Sequence, residues 1–222
     1  MTLARLAVAE AIGTALLTMA VIGSGIAAVR LSPGDIGLEL LENSIATGAA
    51  LVALIVTFGS VSAAFNPVVT ACQVILGDVT RRDGVTLVVA QLAGGVVGAA
   101  LANLMFGLGA VTVSGHRRAG GGHLLGEVVA TAGLVVVIFG CQRAGRGGQV
   151  AYVVGGYIAA AYWFTSSTSF ANPALTLART LSDTFAGIAP SSVPAFVAMQ
   201  LVGGGVGLGV VAFLWPAPSL VP

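Results

Sequence analysis

From Asn43 to Gly77 the chain runs 35 residues without a charged side chain, and Gly147 to Ala178 and Thr184 to Pro222 are likewise uncharged. A soluble domain carries a charge at about one residue in four, because its surface must be solvated. Here charged residues make up 8% of 222 and hydrophobic ones 57%. Such intervals restrict the fold to one that sits in hydrocarbon, where the backbone must satisfy its own hydrogen bonds. That means an integral membrane protein, and the span-length intervals below make it an all-α one. The 32 glycines fit the same environment, since helices in lipid associate through small residues that let backbones approach. A net charge of +1 offers nothing to a nucleic acid.

Charges also divide the chain into spans. The first runs from about Leu3 to Val29; Arg5 precedes an apolar run as in a signal peptide, but the uncharged stretch after Glu10 is long enough to span and is read as an uncleaved helix. A loop is expected from Arg30 to Glu42. The uncharged Asn43–Gly77 interval exceeds the roughly 20 residues one crossing needs, so it holds a span plus a remainder, divided at Asn66-Pro67. Further spans are expected at about Gly84–Leu108, His123–Cys141, the part of Gly147–Ala178 before Asn172, and Val193–Leu214. The total is six spans and two short segments, each short segment opening on an Asn-Pro pair. Asn at an N-cap followed by Pro at the first helical position is the local chemistry of an abrupt helix start.

The two halves repeat. Glu10 of Ala9-Glu10 corresponds to Glu127 of Gly126-Glu127, Asn66-Pro67 to Asn172-Pro173, and Gln91-Leu92-Ala93-Gly94-Gly95 to Gln200-Leu201-Val202-Gly203-Gly204, at offsets of 117, 106 and 109 residues. Three spans per copy is an odd number, so the second copy enters the membrane from the opposite face, an inverted repeat. Repeat one covers about 3–108 and repeat two about 123–215 of a single domain, 1–222. The short segments then enter from opposite sides and their Asn-Pro starts meet near the midplane. There their helix N-termini aim N–H groups and partial positive charge into the passage, and the amides of Asn66 and Asn172 offer donors to a passing oxygen. A neutral, oxygen-bearing solute keeps its partners on that path, whereas an ion loses hydration uncompensated.

The paired strings Phe65-Asn66-Pro67-Val68 and Phe170-Ala171-Asn172-Pro173-Ala174, with the repeated Glu and Gln-x-x-Gly-Gly elements, resemble the aquaporin, or major intrinsic protein, family. The resemblance covers about Leu3 to Leu214. It implies a right-handed bundle of six transmembrane helices and two re-entrant half-helices, a passive channel with one polar track, and a homotetramer with one pore per subunit. It also implies a cell-membrane, multi-pass protein with both termini cytoplasmic. The positive-inside count supports that orientation by a small margin, with Arg5, Arg81, Arg82, Arg143 and Arg146 inside against Arg30, Arg117, Arg118 and Arg179 outside. Val68 stands where the family's motif has alanine, a change expected to be tolerated.

A larger departure follows the second motif: water- and glycerol-selective members usually carry arginine there, in an aromatic/arginine constriction, and this chain has Leu175. Carried over by spacing, the constriction falls on Thr47 (allowing one deleted residue), Ala160, Ser169 or Phe170, and Leu175. That set implies a wide, arginine-free filter of the aquaglyceroporin kind, passing water, glycerol and other polyols, or undissociated metalloid species such as arsenite and methylated arsenicals. Arg179, one helical turn past Leu175, either points towards the vestibule or is interfacial, and is read as the latter. Glu10 and Glu127 are intramembrane ionisable groups and so functional candidates; proton relay is one reading, and the family implies a structural one, holding irregular backbone beside each half-helix. Cys72 either meets thiophilic solutes from the pore or is buried, and with Cys141 it is read as a small buried hydrophobe; His116 and His123 either gate by pH, bind a metal or are solvated loop residues, and are read as the last, so no metal or cofactor is expected. An ion-coupled secondary transporter also uses inverted half-helices, but needs an ionisable coupling site at a junction that offers amides. No catalytic cluster suggests an enzyme.

Overall fold

The computed structural model describes residues 1–216. The end of the 1–222 domain, and with it the C-terminus expected on the cytoplasmic side, lies outside the described residues. Among the described residues eight α-helices are formed: α1 Leu3–Leu31, α2 Ile36–Phe58, α3 Pro67–Leu76, α4 Arg81–Met105, α5 Gly121–Arg143, α6 Val150–Phe164, α7 Pro173–Ala178 and α8 Val193–Leu214. Helices α1, α2, α4 and α5, and α8 with its preceding turn, are long and apolar enough to cross a membrane. Helix α6 has 15 residues after a 3-10 turn at Gly147–Gln149. At about 1.5 and 2.0 Å per residue the two together reach roughly 28 Å, close to the hydrocarbon thickness.

Two boundaries differ from expectation for identifiable reasons. Glu39 and Glu42, expected in a loop, lie inside α2, because Asp35 caps that helix by accepting from the Leu38 N–H at 3.0 Å. Acidic residues near a helix start suit its dipole, and both carboxylates fasten the α1–α2 turn: Glu39 accepts from the Gly34 N–H and Glu42 from the Ser32 hydroxyl. The second short helix, α7, has six residues and tightens into a 3-10 turn at Arg179–Leu181. The carbonyls that would extend it are taken from outside: Thr180 by the Ser114 N–H, and Leu181 by the Thr112 N–H and the Asn103 amide. The chain between α4 and α5 therefore lies across the mouth on the α7 side.

Packing is built on glycine. A Cβ on Gly94 or Gly98 of α4 would stand 2.2 or 2.4 Å from the carbonyl oxygens of Ala11 or Ala15 on α1. A Cβ on Gly203 or Gly207 of α8 would stand 2.5 or 2.7 Å from those of Val128 or Ala132 on α5. Each pair is a small-xxx-small stripe that lets two backbones touch, the main attraction left to helices in lipid. Gly48 on α2 and Gly155 on α6 meet reciprocally, each against the other's carbonyl. Helices α1, α2, α5 and α6 thereby surround a central cavity, into which α3 and α7 descend.

Candidate functional site

The two Asn-Pro starts face each other. Asn66 and Asn172 share an extended backbone, φ −153° with ψ 120° and 110°, and each caps its own helix: Asn66 Oδ1 accepts from the Val68 N–H, and Asn172 Oδ1 from the Ala174 and Leu175 N–H groups. Each amide then crosses to the other motif. Asn66 Nδ2 donates to the Ala171 carbonyl at 2.7 Å, and Asn172 Nδ2 to the Phe65 carbonyl at 2.8 Å. A primary amide has two N–H donors, so each asparagine keeps one for the cavity that both line. Pro67 and Pro173 occupy the first helical positions, where no N–H is missed.

The accepting carbonyls belong to strained residues. Phe65 and Ala171 have φ of 48° and 47°, in the left-handed region that ordinary side chains avoid. The buried carboxylates hold this backbone in place. Glu10 accepts from the N–H groups of Ala64 and Phe65, the Ser62 hydroxyl and the Gln91 amide; Glu127 accepts from the N–H groups of Phe170 and Ala171 and the Gln200 amide. Each glutamine also donates to a half-helix threonine, Thr70 or Thr176. Both glutamates are fully buried, and neither lines the cavity.

That cavity encloses about 830 Å³ of empty space, part of it open to solvent. Its walls are apolar and duplicated: Leu17 and Val21 of α1 correspond to Leu134 and Ile138 of α5, at the same spacing of 117 that separates the glutamates. Thr47, Leu51 and Ile55 of α2 face Val150, Val154, Ile158 and Tyr162 of α6. Thr47, Ser169, Phe170 and Leu175 all line the cavity, as the sequence suggests, but Ala160 does not. It is exposed on the outer face of α6, because residues two apart on a helix point about 200° apart and Ile158 and Tyr162 face inward. Tyr162 takes the place expected of Ala160, its hydroxyl 3.2 Å from that of Thr47. The four-residue stripe Val150, Val154, Ile158, Tyr162 is the sequence signal that locates it.

Val68 points away from the cavity, with Cγ1 in the space a Cβ on Gly204 would need, so α8 accommodates the valine. Ala174 lies against Gly95 in the other half. Cys72 is buried and does not line the cavity. His116 is exposed and His123 half-buried, neither reaching it.

Arg179 is not at an interface: it is 3% exposed and lines the cavity. Its guanidinium carbon lies 3.4 Å from the centre of the Phe170 ring, and its Nε donates to the Ala186 carbonyl. The absence of arginine thus holds for position 175 and not for the cavity. Arg118, from the loop before α5, lies 5.0 Å from the same ring and donates to the carbonyls of Gly187 and Phe185. Burial pulls the Arg118 guanidinium below its ordinary value.

Comparison with known proteins agrees with this geometry. Residues 1–166 match the model of the Major intrinsic protein family. The chain is 48% identical over 213 residues to aquaglyceroporin AqpS of Rhizobium meliloti (strain 1021), covering 96% of this chain and 91% of that one. It is 29% identical over 155 residues to aquaporin-4 of Mus musculus, covering 64% of this chain and 48% of that one. The X-ray structure of the aquaglyceroporin from Plasmodium falciparum superposes with a TM-score of 0.71 at 19% identity, over 96% of each chain.

Proposed function

The chain belongs to the major intrinsic protein family and is a passive, multi-pass membrane channel for small neutral solutes, and from that premise we propose that glycerol and related polyols, or undissociated metalloid species such as arsenite and methylated arsenicals, are its cargo, with water following. The observation that carries this reading is the crossed pair of asparagine amides, two hydrogen-bond donors at the junction of a cavity whose walls are mostly apolar. A solute oxygen exchanges water for these donors at little cost, while an ion gains nothing equal to the hydration it leaves. Similarity to an aquaglyceroporin supports a polyol-sized solute. So does Leu175, which puts a flexible apolar side chain beside the second motif. The selectivity filter is formed by Thr47, Ser169, Phe170 and Leu175, with Tyr162 in the place first assigned to Ala160. Glu10 and Glu127 are structural supports. The subunit is one domain of two inverted repeats, assembled as a homotetramer in the cell membrane with its termini cytoplasmic.

Stopped-flow swelling and uptake in proteoliposomes test the reading with water, glycerol and undissociated arsenite. Glycerol or arsenite flux well above that of protein-free vesicles is expected, without saturation and without an ion gradient. Vesicles closed to all three solutes would overturn it. Uptake of a weakly acidic solute should fall as pH rises through that solute's own pKa, because only the uncharged form passes.

A further inference from the structure

Arg179 is a buried cation for which no ion pair occurs among the described residues, and burial of an uncompensated charge is costly. The structure meets that cost in an unusual way. Three consecutive carbonyls accept from two arginines: Phe185 and Gly187 from Arg118, Ala186 from Arg179. Both guanidiniums lie near the Phe170 ring, Arg179 at 3.4 Å and Arg118 at 5.0 Å. Phe170 is itself fixed edge-on against Phe196, with ring centres 5.3 Å apart. Stacking on an aromatic face offsets part of the desolvation cost of arginine and sets the plane of its fork. One of the five guanidinium N–H donors is spent on Ala186; the side chain otherwise faces the cavity.

A second unsatisfied group shares that cavity. The Ser169 hydroxyl is buried and has no hydrogen-bond partner, although Ser169 lines the space that Arg179 lines. Ser169 is held at φ 51°, a conformation that costs energy and fixes where its side chain stands. Guanidinium donors not spent on Ala186 and an unpartnered hydroxyl in the lining of one cavity suit a solute whose oxygens both accept and donate.

We propose that Arg179 is the specificity-determining cation of this pore: stacked on Phe170, it acts with Ser169 as a subsite for neutral, multiply hydroxylated solutes and as the barrier to protons and metal cations. The assignment rests on the channel reading above and adds to it that selectivity is set by a residue one helical turn beyond Leu175. Arg118 is a positioning residue, holding the Phe185–Gly187 carbonyls and backing the Phe170 ring. Leu175 then controls width, and Arg179 controls charge and orientation.

The test compares wild-type full-length channel with Arg179→Leu, Arg179→Lys and Ser169→Ala in proteoliposomes, reading two quantities. One is proton leak under an imposed potential, followed with an entrapped pH dye; the other is the ratio of glycerol to sorbitol permeability. Arg179→Leu is expected to raise proton leak by at least about tenfold, a modest effect for removing a unit charge a few ångströms from the path. It should also lower the glycerol-to-sorbitol ratio several-fold. Arg179→Lys should keep protons out yet change the solute ratio, because a lysine has charge without the planar fork. Ser169→Ala should slow glycerol and leave proton leak as it was. Should the leucine variant fail to fold, Arg179→Gln keeps a donor for Ala186 and carries the same two readouts. Wild-type proton leak and wild-type solute ratio in a folded neutral variant would overturn the assignment. Failure of wild-type solute flux would instead defeat the channel reading, and the proton readout does not depend on it.

Discussion

A single glutamate side chain in each half carries the geometry of the pore. Glu127 spends its two carboxylate oxygens on the N–H groups of Phe170 and Ala171 and on Gln200 Nε2, so every neighbour it has is a donor. Glu127→Gln turns one acceptor into a donor aimed at donors, and leaves a buried N–H unmet at about 1–3 kcal/mol or more. The expected outcome is a sharp fall in folded yield, measured as the monodisperse fraction after detergent extraction. A proton relay would show normal yield and altered pH response instead. Leu175 gives the complementary case, a buried apolar residue that also lines the passage. Leu175→Arg should narrow the cavity and place a second cation one turn from Arg179, cutting glycerol and arsenite flux more than water flux in stopped-flow assays. Equal loss for all solutes would mean that position 175 does not set the width.

Individual elements add phase and length. Helix α6 faces the cavity along Val150, Val154, Ile158 and Tyr162, and turns Ala160 outward. Replacing Ile158 by Trp should therefore obstruct solute flux by about tenfold or more, the consequence of filling a pore with a side chain it cannot repack. Ala160→Leu should leave glycerol permeability unchanged, and a reversed pattern would show that α6 is rotated. Counting residues from a motif to Ala160 locates a position along a helix only to within a residue or two. Such an offset rotates the side chain by 100° or 200°. Helix α7 shows the other limit, since it has six residues and gives way to a 3-10 turn whose Thr180 and Leu181 carbonyls are claimed by Ser114, Thr112 and Asn103. Those partners lie about 70 residues away in sequence and leave no local trace.

At the scale of the whole molecule, the glycine stripes make the frame. Gly98 sits against the Ala15 carbonyl and Gly207 against that of Ala132, one contact in each half. Gly98→Val or Gly207→Val would drive a side chain into backbone that cannot retreat, and each should lower the thermal midpoint in detergent by several degrees or prevent folding. Gly205→Val, a position with nothing near its Cβ direction, is the control expected to behave as wild type. The repeat was legible because duplicated chemistry survives as recurring residue pairs at nearly constant spacing. The spans were legible because hydrocarbon excludes charge, so long uncharged intervals report crossings whatever the packing. By itself, then, the chain of residues determined a membrane bundle, two opposed Asn-Pro starts and preference for an uncharged solute. Tertiary structure alone decided that Tyr162 rather than Ala160 meets Thr47, and that Arg179 leaves the interface for the cavity. An arginine belongs in water by default, because burying it is costly; only the assembled fold supplies the Phe170 ring and the Ala186 carbonyl that offset the cost.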